Sequence, residues 1–247
     1  MAVSFVTSGT LAGTGSAATS LSGTVNIGTP ASNGALVVLL SAGTAQVVFS
    51  SASITWNGVS MLQVPSTSGT NPGAGAGVLF GLINPASGSH TLAATYAPSS
   101  PPMMAFWSFA GADQAANSTT FINGIIGDNG GSTLFESLSV TTANGNATVC
   151  PFQYGNTMSG IGASPAEDWT LSAATTGFPL GGAHTLSTTA SDTYHSENLN
   201  AADWVQGFGC SVLAAAAAGD VLSAQILTRS MIGWRRRREL LIPAWSF

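Results

Sequence analysis

Short stretches of alternating apolar and polar residues recur along the chain, the period of half-buried strands. In Ser53-Ile54-Thr55-Trp56-Asn57, Ile54 and Trp56 point one way and the polar residues the other. His90-Thr91-Leu92-Ala93-Ala94-Thr95-Tyr96 places Leu92, Ala94 and Tyr96 on one face, and Ser137-Leu138-Ser139-Val140-Thr141 alternates cleanly. Phe208, Cys210 and Val212 share a face opposite Gly207, Gly209 and Ser211. Three other runs are apolar on both faces: residues 35–40, 77–83 and 103–109. Such runs suit central strands covered on both sides, or a face covered by a neighbouring subunit.

Turn signals separate these runs. Asn-Gly pairs stand at Asn33-Gly34, Asn57-Gly58, Asn123-Gly124, Asn129-Gly130 and Asn144-Gly145, and this pair accepts the positive φ angles of a tight hairpin. No window of a dozen residues carries a helical stripe with caps. Many short strands joined by Gly, Ser, Thr and Asn predict an all-β protein, a jelly-roll-like antiparallel β-sandwich of two facing sheets. Val3, Phe5 and Leu11 punctuate the start like an edge strand. The alanine run Ala214–Ala218 closes the sandwich domain, assigned to residues 1–216, and residues 217–247 form a C-terminal arm.

Charge changes the picture. Only 6% of the 247 residues are charged, against about 25% in an ordinary soluble domain. There is no lysine, and residues 1–112 hold no charged side chain at all. Residues 1–228 carry nine acids and no base, a net −9; residues 229–247 carry five arginines and Glu239, a net +4, and together these give −5. A body without a basic face excludes specific nucleic-acid binding by the sandwich. The best apolar stretch, Gly34 to Phe49, is interrupted by Ser41, Gly43, Thr44 and Gln46, so no membrane-spanning helix is expected. The opening Met1–Thr7 lacks the basic and apolar regions of a secretory signal, which predicts synthesis in the cytoplasm.

Chemistry is sparse in the sequence. Cys150 and Cys210 form no metal-ligand spacing, and free core thiols are the expectation over a disulfide. His90, His184 and His195 are the only histidines, and no G-x-S-x-G nucleophile elbow accompanies them. Glu167-Asp168 and Glu197 are the candidate carboxylates for glycoside hydrolysis, but acids solvating loops explain them better. Asp128-Asn129-Gly130 resembles a fragment of a calcium loop without the downstream glutamate, which excludes an EF-hand. A phosphate loop with its lysine is impossible here. No catalytic residue, cofactor or metal is therefore assigned. Trp56 and Trp107 lie in strand patterns and are expected in the core. Tyr154, Trp169 and Tyr194 fall in loop-like stretches, where with Trp204 they are candidates for a sugar-stacking face.

Three segments carry a resemblance: Ser53-Ile54-Thr55-Trp56-Asn57-Gly58-Val59; Val78 through Asn84-Pro85-Ala86-Ser87-Gly88-Ser89-His90-Thr91-Leu92; and Trp107-Ser108-Phe109-Ala110-Gly111-Ala112-Asp113-Gln114. Their succession resembles a β-sandwich module that recurs in bacteriophage virion proteins and phage-derived bacterial surface proteins. Residues 1–6 and Ala202-Asp203-Trp204-Val205 follow the same pattern. The resemblance covers about residues 1–216 and implies a fold rather than an activity. In physical terms Asn57-Gly58 is a hairpin turn, Asn84-Pro85 opens a turn with Gly88 at positive φ, and Asp113 and Gln114 tie down nearby backbone N–H groups.

A surface so poor in charge suits a chain whose faces are covered in an assembly. Together with the resemblance, this predicts a non-enzymatic virion structural protein, most simply a capsid decoration or cement protein. Its partners would be copies of itself and other capsid or tail proteins. A tail-fibre role and a lectin-like, glycan-binding module are the alternatives. The docking residues are expected in the arm: Arg229, Trp234, Arg235, Arg236, Arg237, Arg238, Trp245 and Phe247. Arginine pairs with carboxylates in a bidentate manner, and Arg and Trp are enriched among interface hot spots.

Overall fold

The computed structural model describes residues 1–13, 15–30, 32–42, 49, 51–71, 75–128, 135–155, 167–171, 180–197 and 205–216. Residues 2–215 form one compact unit. Its first half contains β1 (Ser4–Ala12), β2 (Ala18–Asn26), β3 (Ala35–Ala42), β4 (Ser53–Trp56), β5 (Val59–Ser60), β6 (Leu62–Gln63), β7 (Gly69–Asn71), β8 (Gly75–Ile83), β9 (Ser89–Ser100) and β10 (Pro102–Ala110). One helical turn, α1 (Asn117–Thr120), leads into β11 (Phe121–Asp128), β12 (Phe135–Thr141), β13 (Ala147–Tyr154), β14 (Glu167–Leu171), β15 (Leu180–Leu186), β16 (Ser191–Glu197) and β17 (Val205–Val212). All the pairings are antiparallel.

The sandwich predicted from the sequence is present, and it is built twice. In the first half one sheet runs β1-β10-β3-β8-β6, with β7 also on β8, and the second runs β2-β9-β4-β5. First strand beside last, last beside third, second beside the last but one: this is jelly-roll order. In the second half the sheets run β11-β17-β13-β15-β14 and β12-β16, the same order with two strands facing five. The expected pair of sheets becomes four layers. Strand lengths and turns announce a sandwich, but they do not say how many times the chain completes one.

Three cores separate the four layers, and residue parity along each strand decides which core a side chain enters. Leu36, Val38 and Leu40 of β3, Val78, Phe80 and Leu82 of β8, and Met104 and Phe106 of β10 meet Ile54, Trp56, Leu92, Ala94 and Tyr96 of the first outer sheet. The alternate residues Val37, Leu39, Leu79, Trp107 and Phe109 turn the other way. They meet Phe121, Val149, Leu180, Phe208, Cys210 and Val212 of the second half. Beyond that sheet, Cys150, Phe152, Tyr154, Ala183 and Val205 meet Leu138, Val140 and Tyr194. The three doubly apolar runs are therefore central strands buried on both faces. The run at 205–212 is also buried on both faces, although its alternation predicts a half-buried strand. Glycine and serine fill its second face because Val140 and Leu138 press on Gly209 and Gly207 there.

The two inner sheets fit through holes. Gly77 and Gly81 of β8 lie against the rings of Phe208 and Phe121; a Cβ added there would come within 2.4 and 2.2 Å of ring carbons. Turn chemistry is more varied than the Asn-Gly count implies. Asn57 (φ 49°) and Gly58 (φ 77°) close the two-residue β4–β5 hairpin, with Trp56 opposite Val59. Asn123-Gly124 instead sits inside β11, where the register with β17 shifts between Ile122 and Ile125. Asn144-Gly145 makes a turn closed by Asn146 N–H to Ala143 O (3.1 Å), with Gly145 at φ 90°. Asn33-Gly34 has positive φ at Asn33 only and precedes β3, while Asn129-Gly130 lies outside the described residues. Gly88 has φ 89°, as the turn after Asn84-Pro85 requires.

Candidate functional site

Two polar clusters interrupt the apolar layers. The first joins the two jelly rolls. Trp107 of β10 is fully buried and donates its indole N–H to Asp168 Oδ2 of β14 at 2.8 Å. On the same carboxylate, Nδ1 of His184 (β15) lies 2.7 and 2.9 Å from the two oxygens. A carboxylate only accepts, so Nδ1 carries the proton and the ring orientation is fixed. The His184 ring stacks on Phe5 of β1 with centroids 3.9 Å apart, and stands edge-on to Phe109 at 6.1 Å. The side chains of Asp168 and His184 are 9% and 18% exposed. Asp168 therefore braces the first roll against the second rather than solvating a loop, which corrects the sequence reading of that acid.

The second cluster lies between the two sheets of the second roll. Asp192, on β16, is buried and accepts from Thr148 Oγ1 at 2.7 Å, from Ser187 Oγ and from Thr189 Oγ1 at 3.4 Å. Thr148 also meets the Tyr194 hydroxyl, and Thr142 links Ser187 (3.3 Å) to Ser211 (3.0 Å). Burial pushes the Tyr194 phenol well above its ordinary range. A carboxylate out of water needs such donors in place of a shell of solvent. The strand pattern hides this acid: in Ser191-Asp192-Thr193-Tyr194 it reads as a polar residue between polar neighbours. Only the buried parity shared with Tyr194 could have marked it.

Neither cluster assembles a nucleophile with a base. Ser187 bonds a carboxylate directly, while His184 is tied to Asp168. His90 Nε2 faces Ser87 O at 3.1 Å, and His195 sits on the outer face of β16 opposite Ser137. Glu167 and Asp168 are neighbours on β14, and Glu197 ends β16 in another sheet. Asp128 ends β11, and the rest of its calcium-loop fragment lies outside the described residues. Among the described residues no group of three or more His, Cys, Asp or Glu side chains could hold a metal ion.

Of the aromatic candidates, Trp56, Trp107, Tyr154 and Tyr194 are core residues. Trp56 and Trp107 are buried as expected, and the Trp56 indole N–H reaches Ala86 O at 2.8 Å. Tyr154 and Tyr194, read as loop residues, are instead fully buried on β13 and β16 and cannot stack on a sugar. Trp169 lies on β14, and Trp204 lies outside the described residues. Gln114 also differs from expectation: its Nε2 donates to Gly34 O (3.1 Å) and Ala112 O (3.0 Å) rather than receiving N–H groups. Asp113 Oδ1 does accept, from Ala115 N–H at 3.3 Å. Cys150 and Cys210 are both buried and free, on opposite faces of one sheet. The docking residues Arg229, Trp234, Arg235, Arg236, Arg237, Arg238, Trp245 and Phe247 lie outside the described residues.

No family model matches the chain, and no curated protein matches it. Among solved structures, the Macrobrachium rosenbergii nodavirus is 7% identical over 85% of this chain and 90% of that chain, with a TM-score of 0.13. A likeness at that level bears on neither fold nor function.

Proposed function

We propose that the chain is a non-enzymatic structural protein of a bacteriophage virion, a decoration or cement protein that acts through the area it covers. The observation that carries the reading is the jelly-roll order of the sheets, an architecture that serves viral capsid, lectin and cupin domains. The support is an analogy of fold, to which the site must add. Here the site argues against a lectin platform, because Trp56, Trp107, Tyr154 and Tyr194 are spent on the cores. The polar clusters likewise brace layers instead of presenting reactive groups to solvent. A first roll without a single charged residue suits repeated contacts with neutral surfaces of neighbouring subunits.

In this reading the arginines at 229 and 235–238, with Trp234, Trp245 and Phe247, dock the chain onto a capsid or tail subunit. The test is addition of purified protein to particles that lack it, followed by counting bound copies. A fixed copy number per particle is expected, lost when residues 229–247 are deleted while the circular dichroism of the β-sandwich is unchanged. Normal incorporation of the truncated chain would overturn the docking role. Failure of the intact chain to bind particles would overturn the virion reading.

A further inference from the structure

Among the described residues the edge strands are guarded to different degrees. An exposed edge presents unpaired N–H and C=O groups, and proteins blunt it with short strands, charges, bulges or a cover. β5 and β6 have two residues each and β7 has three. β1 is half-buried along nearly its whole length, and its register breaks between Phe5 and Thr7. β11 carries a bulge and ends on Asp128; β14 carries Glu167 and Asp168 across a register shift. β12 and β16 carry Glu136, Asp192 and Glu197. β2 has one of these devices only at its start, a register shift between Ala18 and Ser20. From Ser20 to Asn26 it pairs with β9 in unbroken register, without charge or proline, and every second residue is exposed.

We propose that β2 is the interface through which two copies of this chain pair, antiparallel about a two-fold axis at Gly23. Such an interface requires that the strand complement itself. The run Ser20-Leu21-Ser22-Gly23-Thr24-Val25-Asn26 is a palindrome of polar and apolar positions about Gly23. The axis sets Leu21 opposite Val25 of the second copy, Ser22 opposite Thr24, and Ser20 opposite Asn26. Leu21 and Val25 pack on the core while still partly exposed, so each copy closes the rim of the other's core. Gly23 is needed inside the same copy, because the Leu11 side chain lies 2.6 Å from where its Cβ would be. The pairing joins two four-stranded outer sheets into one of eight.

The inference needs no virion, so its failure is distinguishable from that of the proposed function. The full-length protein is analysed by sedimentation over a wide concentration range, beside S22C/T24C and S22K/T24K. Residues directly opposite in an antiparallel pair have Cα atoms about 4.5–5.5 Å apart, within the span of a disulfide. The wild type should be a dimer, and oxidised S22C/T24C should become a covalent dimer that reductant separates. S22K/T24K sets lysine against lysine on both sides of the axis and should be monomeric with an unchanged far-ultraviolet spectrum. A wild type that stays monomeric at every concentration would sink the proposal. So would an oligomer that S22K/T24K leaves intact and S22C/T24C does not cross-link.

Discussion

Asp168 and the two thiols show what single side chains do here. Replacing Asp168 by Ala removes the acceptor of the Trp107 indole and the partner of His184 together. We expect a loss of about 1–3 kcal/mol, read from urea unfolding. Asp168→Asn keeps an acceptor oxygen and should lose less. Burial holds the Cys210 thiol at about 12 against an ordinary 9.0, and pushes Cys150 well above that ordinary value. Below pH 9 both thiols are protonated, folded or unfolded, and contribute nothing to pH dependence. As pH rises through 9 the unfolded chain releases protons that the folded chain retains, so stability should fall from there toward 12. Thermal melts across that range, compared with a C150A/C210A variant, isolate the thiol contribution. Free thiols were legible from composition and spacing. The polar braces were not, because the pairing of Asp168 with His184 and Trp107 depends on which layers meet.

Individual strands were the most legible level. The alternation at 53–56, 90–96 and 137–141 and the doubly apolar runs at 35–40, 77–83 and 103–109 each correspond to a strand. Asn-Gly proved ambiguous, since the same positive φ at Asn serves a hairpin at residue 57 and a register shift in β11 at residue 123. Glycines within strands carry a different message, close approach of another layer. Gly81→Ala should drive its new methyl into the Phe121 ring and cost about 1–3 kcal/mol by overpacking. Gly58→Ala meets nothing within 4 Å, and its cost should come from backbone conformation alone, about 1–2 kcal/mol. A chemical-denaturation comparison separates the two mechanisms through the double variant G81A with F121L. The smaller side chain should recover part of the Gly81 loss and has no bearing on Gly58.

At the scale of the whole molecule, the layer order decides cooperativity. The inner sheets share a core containing Trp107, Phe109, Leu39, Phe121, Val149 and Phe208. Neither half can keep that face dry alone, so calorimetry of the compact body should give one transition. A fragment of residues 1–116 should be insoluble or associate through the bared face; a monomeric, cooperatively melting fragment would contradict this. The sequence could not disclose the doubling. The two halves share strand order rather than residues, and one of them pairs two strands where the other pairs four. The part of their contact made by β8 is also one-handed in its chemistry. Gly77 and Gly81 are sockets supplied by the first half, and Phe208 and Phe121 are plugs supplied by the second. Two first halves joined in tandem would set socket against socket and leave voids, and two second halves would jam plug against plug. However alike their folds, the halves meet along β8 as opposite castings, and there neither can be exchanged for the other.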